Sequence, residues 1–198
     1  MKGEERAALL TPLSKSWCTD MGVELTSIGL QVHGGMGFIE ETGAAQCLRD
    51  VRVTAIYEGT NGIQAMDLVG RKLMDGGEAA FAIIDQFEDC AEQARAHHAE
   101  MGGALWEAAE TLRETTEWLV SREPQDRFAG AVPYLRGFAR VLGGCFHLKA
   151  ALAAGEGART HLAAFYIGRI LPEHAGLLEQ ARAGADGLYA LSLDDLAA

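Results

Sequence analysis

Two glycine-rich stretches hold the residues whose types and spacing suit chemistry: QVHGGMGF, beginning at Gln31, and IYEGTNGIQ, whose third residue, Glu58, lies 27 positions on from Gln31. Gln31 projects an amide from the end of an apolar-periodic segment, and Gly34 and Gly35 leave the backbone bare for a ligand to approach. Glu58-Gly59-Thr60-Asn61 sets a carboxylate just ahead of a helix start, where unpaired N–H groups favour anions. In a desolvating cleft Glu58 is a candidate general base. Each feature also has a plain structural reading. Gly34-Gly35 serves equally as a helix C-cap, Glu58 as a solvated carboxylate at a helix dipole, and Thr60 or Asn61 as an N-cap. His33 reads as a packed or capping residue and Tyr57 as a core residue. No dinucleotide-binding glycine fingerprint, phosphate-binding loop or zinc signature occurs.

The elements that must position these residues read as helices. Leu9, Leu13, Trp17, Met21, Leu25 and Ile28 recur every three or four positions and predict one helix over 4–32, with Pro12 near its start or at a kink. A short helix follows at 42–48, then extended or turn-like chain at 52–57. A second long helix begins at Asn61, where Gln64 completes a capping-box spacing and Ile63, Met66, Leu68, Val69 and Leu73 supply the apolar face. Beyond Gly76-Gly77 the periodicity predicts helices at 78–98, 105–120, 128–152 and 158–170, and a last one opened by Pro172. The 128–152 segment carries Phe128, Val132, Leu135, Phe138, Leu142 and Phe146 on one stripe, and the paired glycines between segments read as breakers. Period-2 alternation is missing, so the fold class is all-α, built as helical bundles.

Composition narrows the partners. The 198 residues are 48% hydrophobic and 23% charged, an ordinary globular balance, and no apolar run approaches the roughly 20 residues that span a bilayer. The net charge of -11 disfavours nucleic acid and anionic membranes. Residues 1–75 carry 7 Lys/Arg against 10 Asp/Glu, and residues 76–198 carry 10 against 18, so acidity concentrates in the second part. Cys18, Cys47, Cys90 and Cys145 form no C-x-x-C pair; they read as reduced, buried, small apolar residues of a cytoplasmic protein, with no metal site.

The stretches QVHGGMGFIEETGAAQ, LRDVRVTAIYEGTNGIQ and DLVGRKL resemble, in order, spacing and wording, the C-terminal α-helical domain of the flavin-dependent acyl-CoA dehydrogenases. Residues 78–198, through segments such as FYIGRILPEHAGLL, are similar to an extra helical domain of a longer-chain subgroup. The resemblance implies the end of the catalytic helical domain at 1–75 and the additional domain at 76–198. It implies α,β-dehydrogenation of an acyl-CoA thioester with FAD, and electron-transferring flavoprotein as acceptor. By the same resemblance Glu58 is the base, and the Gly59 N–H meets the thioester carbonyl. Thr60 touches the flavin cofactor. Gln31, Gly34 and Gly35 contact the adenosine-diphosphate half of FAD from a neighbouring subunit, so a homo-oligomer is expected. Arg49-Asp50 match as a structural pair. The family's preceding helical and β-domains are missing from this sequence, so the chain alone is expected to be inactive and not to retain FAD. The alternative is a helical oligomerisation or interaction module with no catalysis of its own.

Overall fold

The computed structural model describes residues 3–188 and 190–197, and among them every regular element is helical. In chain order these are α1 (Gly3–Val32), α2 (Gly35–Phe38), α3 (Ala44–Arg52), α4 (Asn61–Val69), α5 (Glu78–Arg95), α6 (Ala99–Val120), α7 (Pro124–Ala129), α8 (Ala131–Ala154), α9 (Ala158–Arg169), α10 (Glu173–Ala181) and α11 (Leu193–Ala197). Short 3-10 turns sit at Glu40–Thr42, Val53–Ala55 and Arg71–Leu73. The all-α expectation holds. α8 is central: it packs against α4, α5, α6, α9 and α10, and α1 lies across α4, α3 and α8.

One continuous apolar core joins both halves of the chain. Leu9 and Leu13 of α1 and Leu68 and Val69 of α4 share it with Phe87, Leu112, Phe138 and Leu178. Phe138 sits edge-on to Phe87 and Tyr134, with centroids 6.0 and 5.9 Å away. The fully buried Tyr134 hydroxyl lies 2.8 Å from Thr116 Oγ1, which itself donates to the Leu112 carbonyl at 2.7 Å. Thr116 therefore accepts from Tyr134, and burial pushes the tyrosine hydroxyl well above its ordinary range.

Several local expectations need correction. α1 continues past Pro12, which is buried in the interior of the helix and does not mark its start. α6 begins at Ala99, not 105, and contains Gly102. A Cβ there would stand 2.7 Å from the Ala91 carbonyl oxygen of α5, so this glycine is a close-packing position and not a breaker. The segment read as 128–152 is two helices that meet at Gly130, and Phe128, Val132 and Phe146 lie exposed. The buried face of α8 runs instead through Ala131, Tyr134, Leu135, Phe138, Val141 and Cys145. Of the extended and turn-like readings of 52–57 the turn holds: Arg52 ends α3 and a 3-10 turn follows at Val53–Ala55. α4 stops at Val69 with Ile63 and Met66 exposed, and α1 leaves Leu25 and Ile28 exposed.

Candidate functional site

The Glu58 loop is set by its backbone. Glu58 has φ 55°, the one non-glycine residue with positive φ among the described residues, and Gly59 follows at φ 83°. A left-handed glutamate costs about 1–2 kcal/mol and persists only where its surroundings hold it. The holding contacts are carbonyl bonds. Gln64 Nε2 donates to the Glu58 carbonyl at 3.2 Å, and Lys15 Nζ of α1 donates to the Gly59 carbonyl at 2.6 Å. The Glu58 carboxylate is exposed and makes no hydrogen bond or ion pair among the described residues.

Thr60 caps α4: its Oγ1 accepts from the Ile63 N–H at 3.5 Å and keeps its own proton for an outside acceptor. Asn61 is not the cap, and Gln64 is not the far half of a capping box. The Asn61 side chain turns to α1, accepting from Lys15 Nζ at 2.8 Å and donating to Asp20 Oδ1 at 2.6 Å. The other Asp20 oxygen accepts from Arg136 of α8 at 3.1 Å.

The first glycine stretch lies elsewhere. Gln31 sits in the last turn of α1, Gly34 turns the chain at φ 62°, and Gly35 opens α2. All three are exposed, and a Cβ at either glycine would meet nothing within 4 Å. The backbone there is open to an outside group. Lys15 touches Gly59, and Gln31 is sixteen residues further along α1, so the two motifs stand roughly 24 Å apart along the helix. One chain does not bring them into one pocket. An open groove of about 900 Å³ does pass Thr60, Asn61 and Ile56 between α1, α8 and α10, but Glu58 is outside its lining. Two of its three arginines are engaged: Arg136 with Asp20, and Arg140 with Glu173 and over the Trp17 ring at 4.5 Å.

The remaining sequence expectations fare unevenly. Tyr57 and His33 are exposed and not packed. Arg49 pairs with Glu40, at 2.5 Å, rather than with Asp50. All four cysteines are free; Cys90 and Cys145 are buried as expected, but Cys18 and Cys47 are exposed. The neighbouring Cys90, with burial, pushes the Cys145 thiol up. Among the described residues no cluster suits a metal ion, and no helix is long and apolar enough to cross a membrane. Sequence reading missed Lys15, Asp20 and Arg136, because nothing in local spacing marks side chains that meet across 44 to 116 positions.

The class is an all-helical bundle, and comparison with known proteins defines the family. Residues 1–74 match the family model "Acyl-CoA dehydrogenase, C-terminal domain", and residues 80–192 match "Acetyl-CoA dehydrogenase C-terminal like". The 3-methylmercaptopropionyl-CoA dehydrogenase of Ruegeria pomeroyi is 39% identical over 145 residues, which are 68% of this chain and 24% of that relative. The cyclohex-1-ene-1-carbonyl-CoA dehydrogenase of Geobacter metallireducens is 36% identical over 72 residues, 36% of this chain and 19% of the relative. The crystal structure of Caenorhabditis elegans ACDH-11 shares the fold at a TM-score of 0.70 and 21% identity, covering 83% of this chain and 29% of that one. The chain belongs to the acyl-CoA dehydrogenase family, a family of oxidoreductases. It spans about a quarter of the length of the first of these relatives.

Proposed function

We propose that the chain is the C-terminal portion of an FAD-dependent acyl-CoA dehydrogenase that forms an α,β double bond in an acyl-CoA thioester. Residues 1–75 end the catalytic helical domain, and residues 76–198 form the additional helical domain that buttresses it. The observation that carries this reading is the Glu58 loop: a left-handed glutamate with an unpartnered carboxylate, its own and the next backbone carbonyl each held by a hydrogen bond. Glu58 takes the α-proton onto its carboxylate. Gly59 offers its N–H to the thioester carbonyl, where negative charge develops as that proton leaves.

The residues present fit the cofactor that the resemblance implies. Thr60 has a free hydroxyl proton, and Gly34 and Gly35 leave open space above their backbone. FAD, when bound, supplies the acceptor for the β-hydrogen. The roughly 24 Å along α1 between the motifs supports two separate contacts, with Gln31, Gly34 and Gly35 serving the cofactor of a second copy. The exposed Val32 and Phe38 beside them, at 82% and 84%, favour burial in such a homo-oligomer. Electron-transferring flavoprotein is the acceptor of the complete enzyme.

The chain alone has Glu58 in water and few walls for a thioester, so it is inactive by itself. The test adds FAD and an acyl-CoA under anaerobic conditions to the chain, with and without the preceding portion of the dehydrogenase. Flavin bleaching is expected only in the combination. Bleaching by the chain alone overturns its inactivity as a fragment; no bleaching in the combination favours an interaction module.

A further inference from the structure

We propose that Lys15, Asn61, Asp20 and Arg136 form a positioning relay through which α8 sets the backbone of Glu58 and Gly59. The polar contacts alternate in a way that permits one arrangement. Arg136 donates to one oxygen of Asp20 at 3.1 Å, and the other oxygen accepts from Asn61 Nδ2 at 2.6 Å. Asn61 Oδ1 accepts from Lys15 Nζ at 2.8 Å, and the same ammonium donates to the Gly59 carbonyl at 2.6 Å. An ammonium can only donate and a carboxylate can only accept, so these two neighbours fix which way the Asn61 amide faces. Thr19 closes the cluster, with its hydroxyl 2.9 Å from Asn61 Nδ2.

The relay ends where the backbone is strained. With both carbonyls held, by Gln64 at Glu58 and by Lys15 at Gly59, the peptide planes on either side of Gly59 cannot rotate freely. Those planes set where the Gly59 N–H points and where the Glu58 side chain leaves the loop. Arg136 lies 116 positions from Asp20, in the additional helical domain. That domain therefore reaches the loop through charge as well as through the shared core. Lys15, Asn61, Asp20 and Arg136 are positioning residues, acting through the loop and not on substrate. Their catalytic consequence rests on Glu58 being the base.

The first measurement needs no catalysis. Backbone carbon shifts of the isotope-labelled 198-residue chain report the left-handed conformation at Glu58 and Gly59. Lys15→Met is expected to move both toward averaged values, Lys15→Arg to keep them, and Arg136→Ala to move them part of the way. Asp20→Asn, equal in size, gives the same reading where Lys15→Met does not fold. Unchanged shifts in a folded Lys15→Met or Asp20→Asn chain overturn the relay. In the complete dehydrogenase, Lys15→Met is expected to lower kcat by roughly tenfold or more with KM within about twofold, and Lys15→Arg to restore most of it. A raised KM at unchanged kcat overturns the positioning role. Full turnover by Glu58→Gln would remove the base from Glu58, while the carbon shifts would still decide the relay.

Discussion

The helices behind the site and the loops that carry it are built on opposite terms. In α5, α6 and α8 the core-facing residues are closed off: Phe87, Leu112, Tyr134 and Phe138 are at most 2% exposed, and polar groups such as Thr116 have partners. Between Val32 and Ile63 the chain exposes Phe38, Ile39, Val53, Ile56 and Tyr57, and holds a glutamate in a left-handed conformation. The first region spends its sequence on stability. The second keeps surface and strain that an isolated chain would not need, as expected where a protein meets a ligand or another chain.

The largest effect expected is Phe138→Ala, which empties the centre of the core and should cost about 3–5 kcal/mol in denaturant unfolding. Phe38→Ala, at 84% exposure, should stay within about 0.5 kcal/mol. Equal losses would erase the contrast. Next, Gly137→Val should cost about 1–3 kcal/mol or more, because a Cβ there would stand 2.7 Å from Leu178 Cδ2 of α10.

That glycine marks what was legible in the sequence. The helices were, because leucines and aromatics recur with period 3.6. The packing face of α8 was not, because glycine and alanine let neighbouring helices approach while carrying no hydrophobic signal of their own. Phe128, Val132 and Phe146 advertised the wrong stripe, and Gly102 looked like a break. Glu58, Gly59 and Thr60 stood out through local wording, and Thr60 proved to be the cap. Lys15 and Asp20 stayed hidden, since a lysine on a helix surface has the same local signature whether or not it reaches a loop 44 positions away.

A smaller effect is pH-dependent. The Tyr134 hydroxyl is raised by burial, so its contribution is fully present below the unfolded tyrosine value of about 10 and is lost as pH rises above it. Tyr134→Phe should remove this alkaline loss, read from unfolding midpoints between pH 9 and about 11, at a cost of about 1 kcal/mol near neutrality. An unchanged alkaline slope would assign the loss to another group. The smallest effect is Glu58→Gly. Glycine relieves a left-handed φ but gains freedom when unfolded, so stability should change by about 1 kcal/mol or less, with stabilisation the expected sign. A clear destabilisation would mean that the Glu58 side chain supports the fold.

The central claim is that this strained, structurally dispensable glutamate is kept for proton abstraction. The most direct measurement is turnover of the complete dehydrogenase carrying Glu58→Gln, with its acyl-CoA and an electron acceptor. The amide keeps shape and removes the base, so kcat should fall by about 100- to 10,000-fold while substrate still binds. Turnover within a few-fold of the unaltered enzyme would contradict the account and place the base on another residue.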